Sequence, residues 1–435
     1  MTRHVRAGRQ TPVVVALSIL LLLVASLGAV AAALRPPVGQ DEAAPVTSRS
    51  SNPSPTPTLT PTPTPDPDVE LSLVAAGDVL PHLPVLSSAR SADGGYDFGP
   101  LLEPLDPWVR GADLALCHLE VPVAPAGTAP SGYPMFATPA AIASGLRDQG
   151  WDGCSTASNH SVDRGFAGIT ATIDALDAAG LGHVGTARSA GEQTQPQVYT
   201  LDRAGRTVTV AHIAATYGTN GMPVDSDKPW SVDRIDVPAM VAQATAARAA
   251  GADVVIASVH CCVEYRMEPS PEQVAVDQEL ADSGVIDLVI GHHAHVPQPV
   301  THLPGGPDGA GMWVAYGLGN FLSNQDGECC TESTDSGLLL SAQLRGEGAF
   351  PAQGRPAGPV RVTGVTWTPI TVDRLGGHRV YALTDILAGA GSLSGGQVAD
   401  RKARATAAAG TEAPERTTPL VATGPDPVVV RRVSG

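Results

Sequence analysis

An α/β fold standing behind one membrane-spanning segment and a disordered tether is the architecture this sequence predicts, on three observations. Residues 13–34 are almost wholly apolar, residues 35–68 are proline-rich, and from Val69 onward short β-rich runs alternate with helical patterns. Such alternation is what strands crossed over by helices require.

The N-terminal segment comes first. Arg3, Arg6 and Arg9 precede an uncharged stretch from Gln10 to Leu34, which Arg35 closes. At about 1.5 Å per residue the apolar run covers roughly 33 Å, enough for a bilayer core of about 30 Å. Basic residues on its N-terminal side retain that end in the cytoplasm and send the remainder outward. Residues 1–34 are therefore read as a signal anchor of a single-pass membrane protein; a cleaved signal peptide using the small residues around Val30–Ala33, giving a secreted product, is the alternative. The tether, residues 35–68, holds ten prolines in 34 residues. It cannot bury enough apolar surface to fold, and its prolines favour extended polyproline-II geometry.

In the body, residues 71–76, 112–117, 153–158, 207–213, 254–259 and 286–290 read as buried strands. Helical patterns fall at 139–149, 165–179, 237–250 and 271–282; in the second, Ile169, Ile173 and Leu176 recur at helical spacing and Gly180 supplies a stop. Beyond residue 316 the pattern becomes mostly strand-like, as at 337–344 and 360–368. The polar, Ala-rich stretch 396–435 is read as a disordered tail, so one domain is expected at 69–395. With 43 acidic residues against 27 Lys and Arg, the net charge is -16. That opposes nucleic acid as a partner, and any polyanion would need a local positive centre.

Polar residues gather where the strands end. Asp78 follows the first strand, Glu120 the second, Asn159 and His160 the third, His260 a later one, and His292, His293 and His295 another. In open α/β sheets, residues distant in sequence converge at the carboxyl ends of strands. Singly, each has a bland reading as a turn, cap or hydrogen-bonded residue; five coinciding strand ends predict a metal site. A His-x-His pair on extended backbone, His293 and His295, places both rings on one side. Carboxylate, amide and imidazole ligands suit Mn, Fe or Zn. Two such ions about 3.5–4 Å apart would activate a water for displacement at phosphorus. His160 is the candidate proton donor to the leaving oxygen.

The blocks Ala76–Val79, His118–Pro122, Ser158–Gly165, Ser258–His260 with Val263–Tyr265, Gly291–Val296 and Tyr316–Phe321 carry a resemblance. Together, and in this order, they resemble the bacterial capsule-synthesis family (CapA-like, poly-γ-glutamate capsule), which is similar to the calcineurin-like metallophosphoesterases. The resemblance implies an αββα sandwich with a dinuclear site ringed by Asp78, Glu120, Asn159, His160, His260, His293 and His295. It departs from the related enzymes' Asp-x-His opening, since the nearest histidine is His82. His118 replaces the family's Asn, and Cys261-Cys262 replaces its Trp-Gly.

Arg164, Glu264, Tyr265 and His292 are the candidate substrate contacts, with ordinary loop salt bridging as the plain alternative. His183, His212 and His302 lack a partner motif and are read as structural. Six cysteines in an exported chain permit disulfides. The adjacent pairs Cys261-Cys262 and Cys329-Cys330 suggest two cross-links between their loops, with vicinal pairing or a thiolate zinc site as alternatives. Cys117 and Cys154 bridge or stay buried thiols. The expected function is a metal-dependent, extracytoplasmic phosphoesterase-like protein of capsule or envelope-polymer biosynthesis. Its expected partners are an anionic polymer or phosphoester and a polymer-synthase membrane complex. A non-catalytic export or assembly component, or a metal-dependent amide hydrolase on the polymer, are the alternatives.

Overall fold

The computed structural model describes residues 63–386 and 391–433. One sheet has eight strands. Arg379–Ala382, Arg361–Asp373, Ser336–Gly346, Val69–Val79, Leu114–Leu119, Gly153–Ser155 and Gly182–Val184 lie side by side in that order, and Asn320–Leu322 pairs with the end of Val69–Val79. The other sheet orders Val428–Val430, Gln197–Arg203, Arg206–Thr216, Val254–His260, Leu288–His292, Met312–Ala315 and Val300–Leu303.

Strand periodicity explains the layers. Successive side chains point to opposite faces. Leu71, Leu73 and Ala75 therefore join Leu114 and Leu116 on the inner face, against Val208, Val210, Val254, Ile256 and Ile290 of the other sheet. Val74 and Ala76 face outward, packing with Leu102, Ile142 and Leu146. On the far side, Ala211, Ile213, Val255, Ala257 and Val289 lie under Met240, Ala244 and Leu280. The result is helices, sheet, sheet, helices: the expected mixed α/β sandwich. Each fully buried Leu of the inner layer contributes roughly 1.5–3 kcal/mol, and truncating Leu71 to Ala would cost about 2–5 kcal/mol.

The four expected helices form at Ala141–Gln149, Gly165–Ala179, Val237–Ala249 and Pro271–Asp282. Their ends follow the local chemistry: Gly150 and Gly180 take left-handed C-caps, and Ser270 with Gln273 closes a capping box at the start of the last. Short helices at Leu83–Ser88, Gly99–Leu102 and Asp106–Arg110 were not expected; each has Pro in its first turn and is too short for a periodic signal.

Residues 396–433 correct the expectation of a disordered tail. A helix spans Gly395–Ala409, opened by a Ser394/Gln397 capping box, and Val428–Val430 adds a strand antiparallel to Gln197–Arg203. Ala405, Ala409 and Ala413 are buried in the inter-sheet core, where Trp367 Nε1 donates to the Ala413 carbonyl at 2.9 Å. Small alanines look weakly patterned, yet they are what allow close approach to a tryptophan. The domain therefore extends past residue 395. At its start, the Asp66 amide donates to the Ala349 carbonyl, and Asp68 pairs with Arg345. The expected anchor and residues 35–62 of the tether lie outside the described residues; among those described, no helix is long and apolar enough to cross a membrane.

Candidate metal centre

Parallel pairing brings the site together. Val69–Val79, Leu114–Leu119 and Gly153–Ser155 run parallel in one sheet, as do Arg206–Thr216, Val254–His260 and Leu288–His292 in the other. The segment Tyr316–Asn320 passes beneath the strand ends. The Asp78 amide donates to the Gly319 carbonyl at 2.9 Å and the Leu318 amide to the Gly291 carbonyl at 3.1 Å. A Cβ on Gly77 would stand 1.9 Å from the Gly319 oxygen, and one on Gly291 would stand 1.8 Å from the Tyr316 oxygen. The glycines before Asp78 and His292 are thus dictated by close backbone approach.

Two sets of ligand-type atoms result. Asp78, His118 and His260 form one, and Glu120, His293 and His295 the other; within each, the candidate atoms lie within 4.8 Å of one another. All six residues are at most 2% exposed. His293 and His295 do not extend the strand, which ends at His292. Both take positive φ, 83° and 57°, a costly conformation for histidine that clusters at functional sites. The expected extended His-x-His is therefore corrected to a sharply bent one, with the ring centroids 6.0 Å apart.

Hydrogen bonds fix the ring nitrogens. With His260 Nε2–H donating to Asn159 Oδ1 at 2.9 Å, the Nδ1 lone pair faces His118 Nε2 at 3.0 Å, while His118 Nδ1 meets Ser155 Oγ at 2.8 Å. With His295 Nδ1–H donating to Asn320 Oδ1 at 3.2 Å, Nε2 is left 3.6 Å from Glu120 Oε1. Partners of this kind set the tautomer that a ligating imidazole needs. The carboxylates have no such partners. His295 and His292 approach Asp78 at 3.0 and 3.4 Å without the alignment of a hydrogen bond, and all four oxygens of Asp78 and Glu120 are buried and unsatisfied. Unpaired buried oxygens are costly. Divalent cations would satisfy them, so the residues fit a metal.

The electrostatics agree for three of the four candidate imidazoles. Burial and the neighbouring imidazoles hold His118 and His260 well below the ordinary histidine value. Burial, with His295 beside it, pushes His293 down to about 3. These three are neutral, as ligands must be. Burial also opposes charge on His295, but Glu120 and Asp78 overcome it and lift the ring to about 9. Burial pushes Glu120 well above the carboxylate range despite His295, whereas His292 and His295 outweigh burial at Asp78 and hold it well below.

Comparison with known proteins gives the chain a family. Residues 72–325, more than half of the chain, match the family described as bacterial capsule synthesis protein PGA_cap. The chain belongs to that family. Among the chain's relatives is a "Probable polyglutamine synthesis accessory protein" of Mycobacterium tuberculosis, 31% identical over 196 residues, which are 43% of this chain and 49% of that one. The capsule biosynthesis protein CapA of Bacillus anthracis is 28% identical over 198 residues, 45% and 44% of the two chains. The PGA biosynthesis protein CapA of Bacillus subtilis is 27% identical over 239 residues, 53% and 56%. The chain spans about half the length of these curated relatives. Among solved structures, the NAD nucleotidase of Haemophilus influenzae aligns at a TM-score of 0.42 and 11% identity, over 79% of this chain and 57% of that one.

Other residues stand around the two sets. Asn159 hydrogen-bonds His260 and, through Nδ2, Asn220 Oδ1 at 3.2 Å. His160 lies outside both sets; its Nδ1 bonds Asp163 Oδ2 at 2.7 Å and its ring meets Phe136 edge-on. His292 stacks on His118 at 4.0 Å. Arg164 turns away: its guanidinium donates to Ser131 Oγ and to the Met135 carbonyl. Glu264 acts on Glu120, Tyr217 and Tyr265, and Tyr265 lies 6.0 Å from His295. Cys261 pairs with Cys262, Cys329 with Cys330, and Cys117 with Cys154. The expected cross-links between the two loops are thus corrected to vicinal pairs, formed where each loop's own neighbours are nearest.

Sequence reasoning passed over His118, Tyr217, Asn220 and Asn320. His118 had a signal: it stands two residues before Glu120, so a strand puts both on one face. Tyr217 and Asn220 sit in loops, where no periodicity reports direction, and Asn320 opens a strand of three residues, too short for a periodic signal. His183, His212 and His302 are structural neighbours of Asp177, Ser258 and Trp313 respectively.

Proposed function

We propose that this protein is a membrane-tethered, extracytoplasmic member of the capsule-synthesis family whose buried site hydrolyses a phosphoester of an envelope polymer or its precursor. The observation that carries the reading is the pair of two-histidine, one-carboxylate sets, whose carboxylate oxygens have no other buried partner. Asp78, His118 and His260 would hold one divalent ion, and Glu120, His293 and His295 the other; Mn, Fe or Zn suit such donors. When bound, such ions supply Lewis acidity and an acidified water. The chain's own contribution is positional. Asn159 and Asn320 orient His260 and His295. Asp163 holds His160 at Nδ1, leaving Nε2 to deliver a proton to a leaving oxygen. A polymer-synthase complex at the membrane is the proposed setting.

The relatives' names favour a second reading, an accessory role in polymer assembly without turnover. Full-length protein loaded with Mn, Fe or Zn, assayed on phosphomonoesters and phosphodiesters beside Asp78→Asn and His293→Ala, separates the two. Turnover that falls at least a hundredfold in both variants supports hydrolysis; a fully loaded protein with no turnover on any ester supports the accessory role.

A further inference from the structure

Each of three site histidines has an aromatic neighbour that reaches outward. Tyr217 lies 4.6 Å from His293 and stacks nearly parallel to His260, at 11°, yet is 39% exposed. Tyr265 lies 6.0 Å from His295 and is half-buried. It is held rigidly, its amide donating to the Ala294 carbonyl at 2.8 Å and its Oη accepting from Gln325 Nε2 at 3.3 Å. Its φ of 63° is a strained setting that turns the chain beside the site. Tyr133, 80% exposed, contacts Phe136, whose ring meets His160.

Charges of both signs stand near these rings: Glu264 acts on Tyr217 and Tyr265, while Arg234 lies against Gly218 and Arg266 follows Tyr265. Beyond burial, the groups acting most strongly on Tyr217 are Glu264 and Glu120; both act on Tyr265 as well, and so does Tyr133. Arg164, the one cation among the candidate substrate contacts, is committed to the Ser131–Met135 loop. The phenols at this rim give a ring of the substrate faces to stack on. Aromatic stacking is worth about twofold to tenfold per ring.

We propose that the mouth of this site selects a phosphoester whose adjacent group is a ring able to lie face-on against a phenol, with Tyr217 as the principal stacking face and Tyr265 and Tyr133 completing the rim. The proposal rests on the phosphoester reading above and names its substrate class. An aryl or base ring and a pyranose ring share the relevant chemistry.

The test is calorimetric titration of the metal-loaded full chain with non-hydrolysable phosphonates: phenyl-, glucosyl- and methylphosphonate, with γ-linked hexaglutamate as the polyanion arm. Phenyl- or glucosylphosphonate should bind at least tenfold more tightly than methylphosphonate, and the tighter of the two identifies the ring. Tyr217→Ala should cut that advantage to under threefold and Tyr217→Phe should keep it. If Tyr217→Ala fails to fold, Tyr133→Ala at the exposed rim should cut the advantage at least twofold. Arg266→Ala, exposed beside Tyr265, should leave it unchanged. Equal affinity for ring and methyl phosphonates, tighter hexaglutamate binding, or an advantage untouched by the tyrosine variants overturns the proposal while leaving the phosphoester reading intact. Binding of no phosphonate overturns both.

Discussion

Asp113 and Asp78 are both buried aspartates at strand ends, yet their surroundings are opposite. Asp113 precedes Leu114–Leu119 and accepts from the Ser72 amide and hydroxyl, from Arg203 at 2.8 Å, and from the amide and hydroxyl of Thr423. Asp78, at the carboxyl end of Val69–Val79, has no aligned donor on either oxygen. One end of the sandwich is closed by satisfied charges latched by the C-terminal segment. The other keeps charge unsatisfied and backbone strained at His293 and His295. Buried charge serves stability where its partners come from the chain and binding where they do not.

The contrast predicts its largest effect at Arg203. Arg203→Ala leaves Asp113 charged and buried, which should lower unfolding free energy by about 3–5 kcal/mol in urea denaturation. Asp78→Asn, measured on chelator-treated protein above about pH 9, where His295 has given up its proton, should change stability by less than about 1 kcal/mol or raise it, because the carboxylate then has neither that cation nor an aligned donor to lose. Comparable losses in both would erase the distinction.

Next comes the latch itself. Arg432 is buried and donates to the carbonyls of His183, Thr186 and Glu192. Arg432→Ala should cost about 2–3 kcal/mol through orphaned carbonyls, with metal content unchanged. Asn159→Ala should show the reverse pattern. It removes the partner that orients His260, so metal should bind about 10–100-fold more weakly, with a thermal midpoint close to that of the parent.

The helices at 165–179 and 271–282, the sandwich strands and the ligand-bearing strand ends were legible because periodicity and Gly-Asp or Gly-His punctuation are local signals. His118 was readable by strand alternation once Glu120 was chosen. The C-terminal helix and strand were not: Ala405 and Ala409 gain their meaning from Trp367, and Arg432 from three carbonyls more than 200 residues away. The bend at His293–His295 was equally invisible, since nothing local demands positive φ there. Arg164 looked like a substrate contact because position in a motif says nothing of where a long side chain turns.

A smaller, pH-linked effect sharpens the comparison. His295 is lifted to about 9 in the folded chain, above about 6.5 for an unfolded histidine. Its contribution to stability in chelator-treated protein is therefore fully present below about pH 6.5 and is lost as pH rises through about 9. Metal binding must displace that proton, so affinity should rise across the same window. Denaturation and metal titration at several pH values, with His295→Ala flattening the stability trend, check both signs.

The central claim is that two buried sets each hold one ion. The most direct measurement is metal stoichiometry by elemental analysis of the full chain after saturation and desalting. We predict two divalent ions per chain, one in His118→Ala with the Glu120 set still filled, and one in Glu120→Gln with the Asp78 set still filled. A folded parent protein that retains no metal, or variants that retain both ions, would contradict the account.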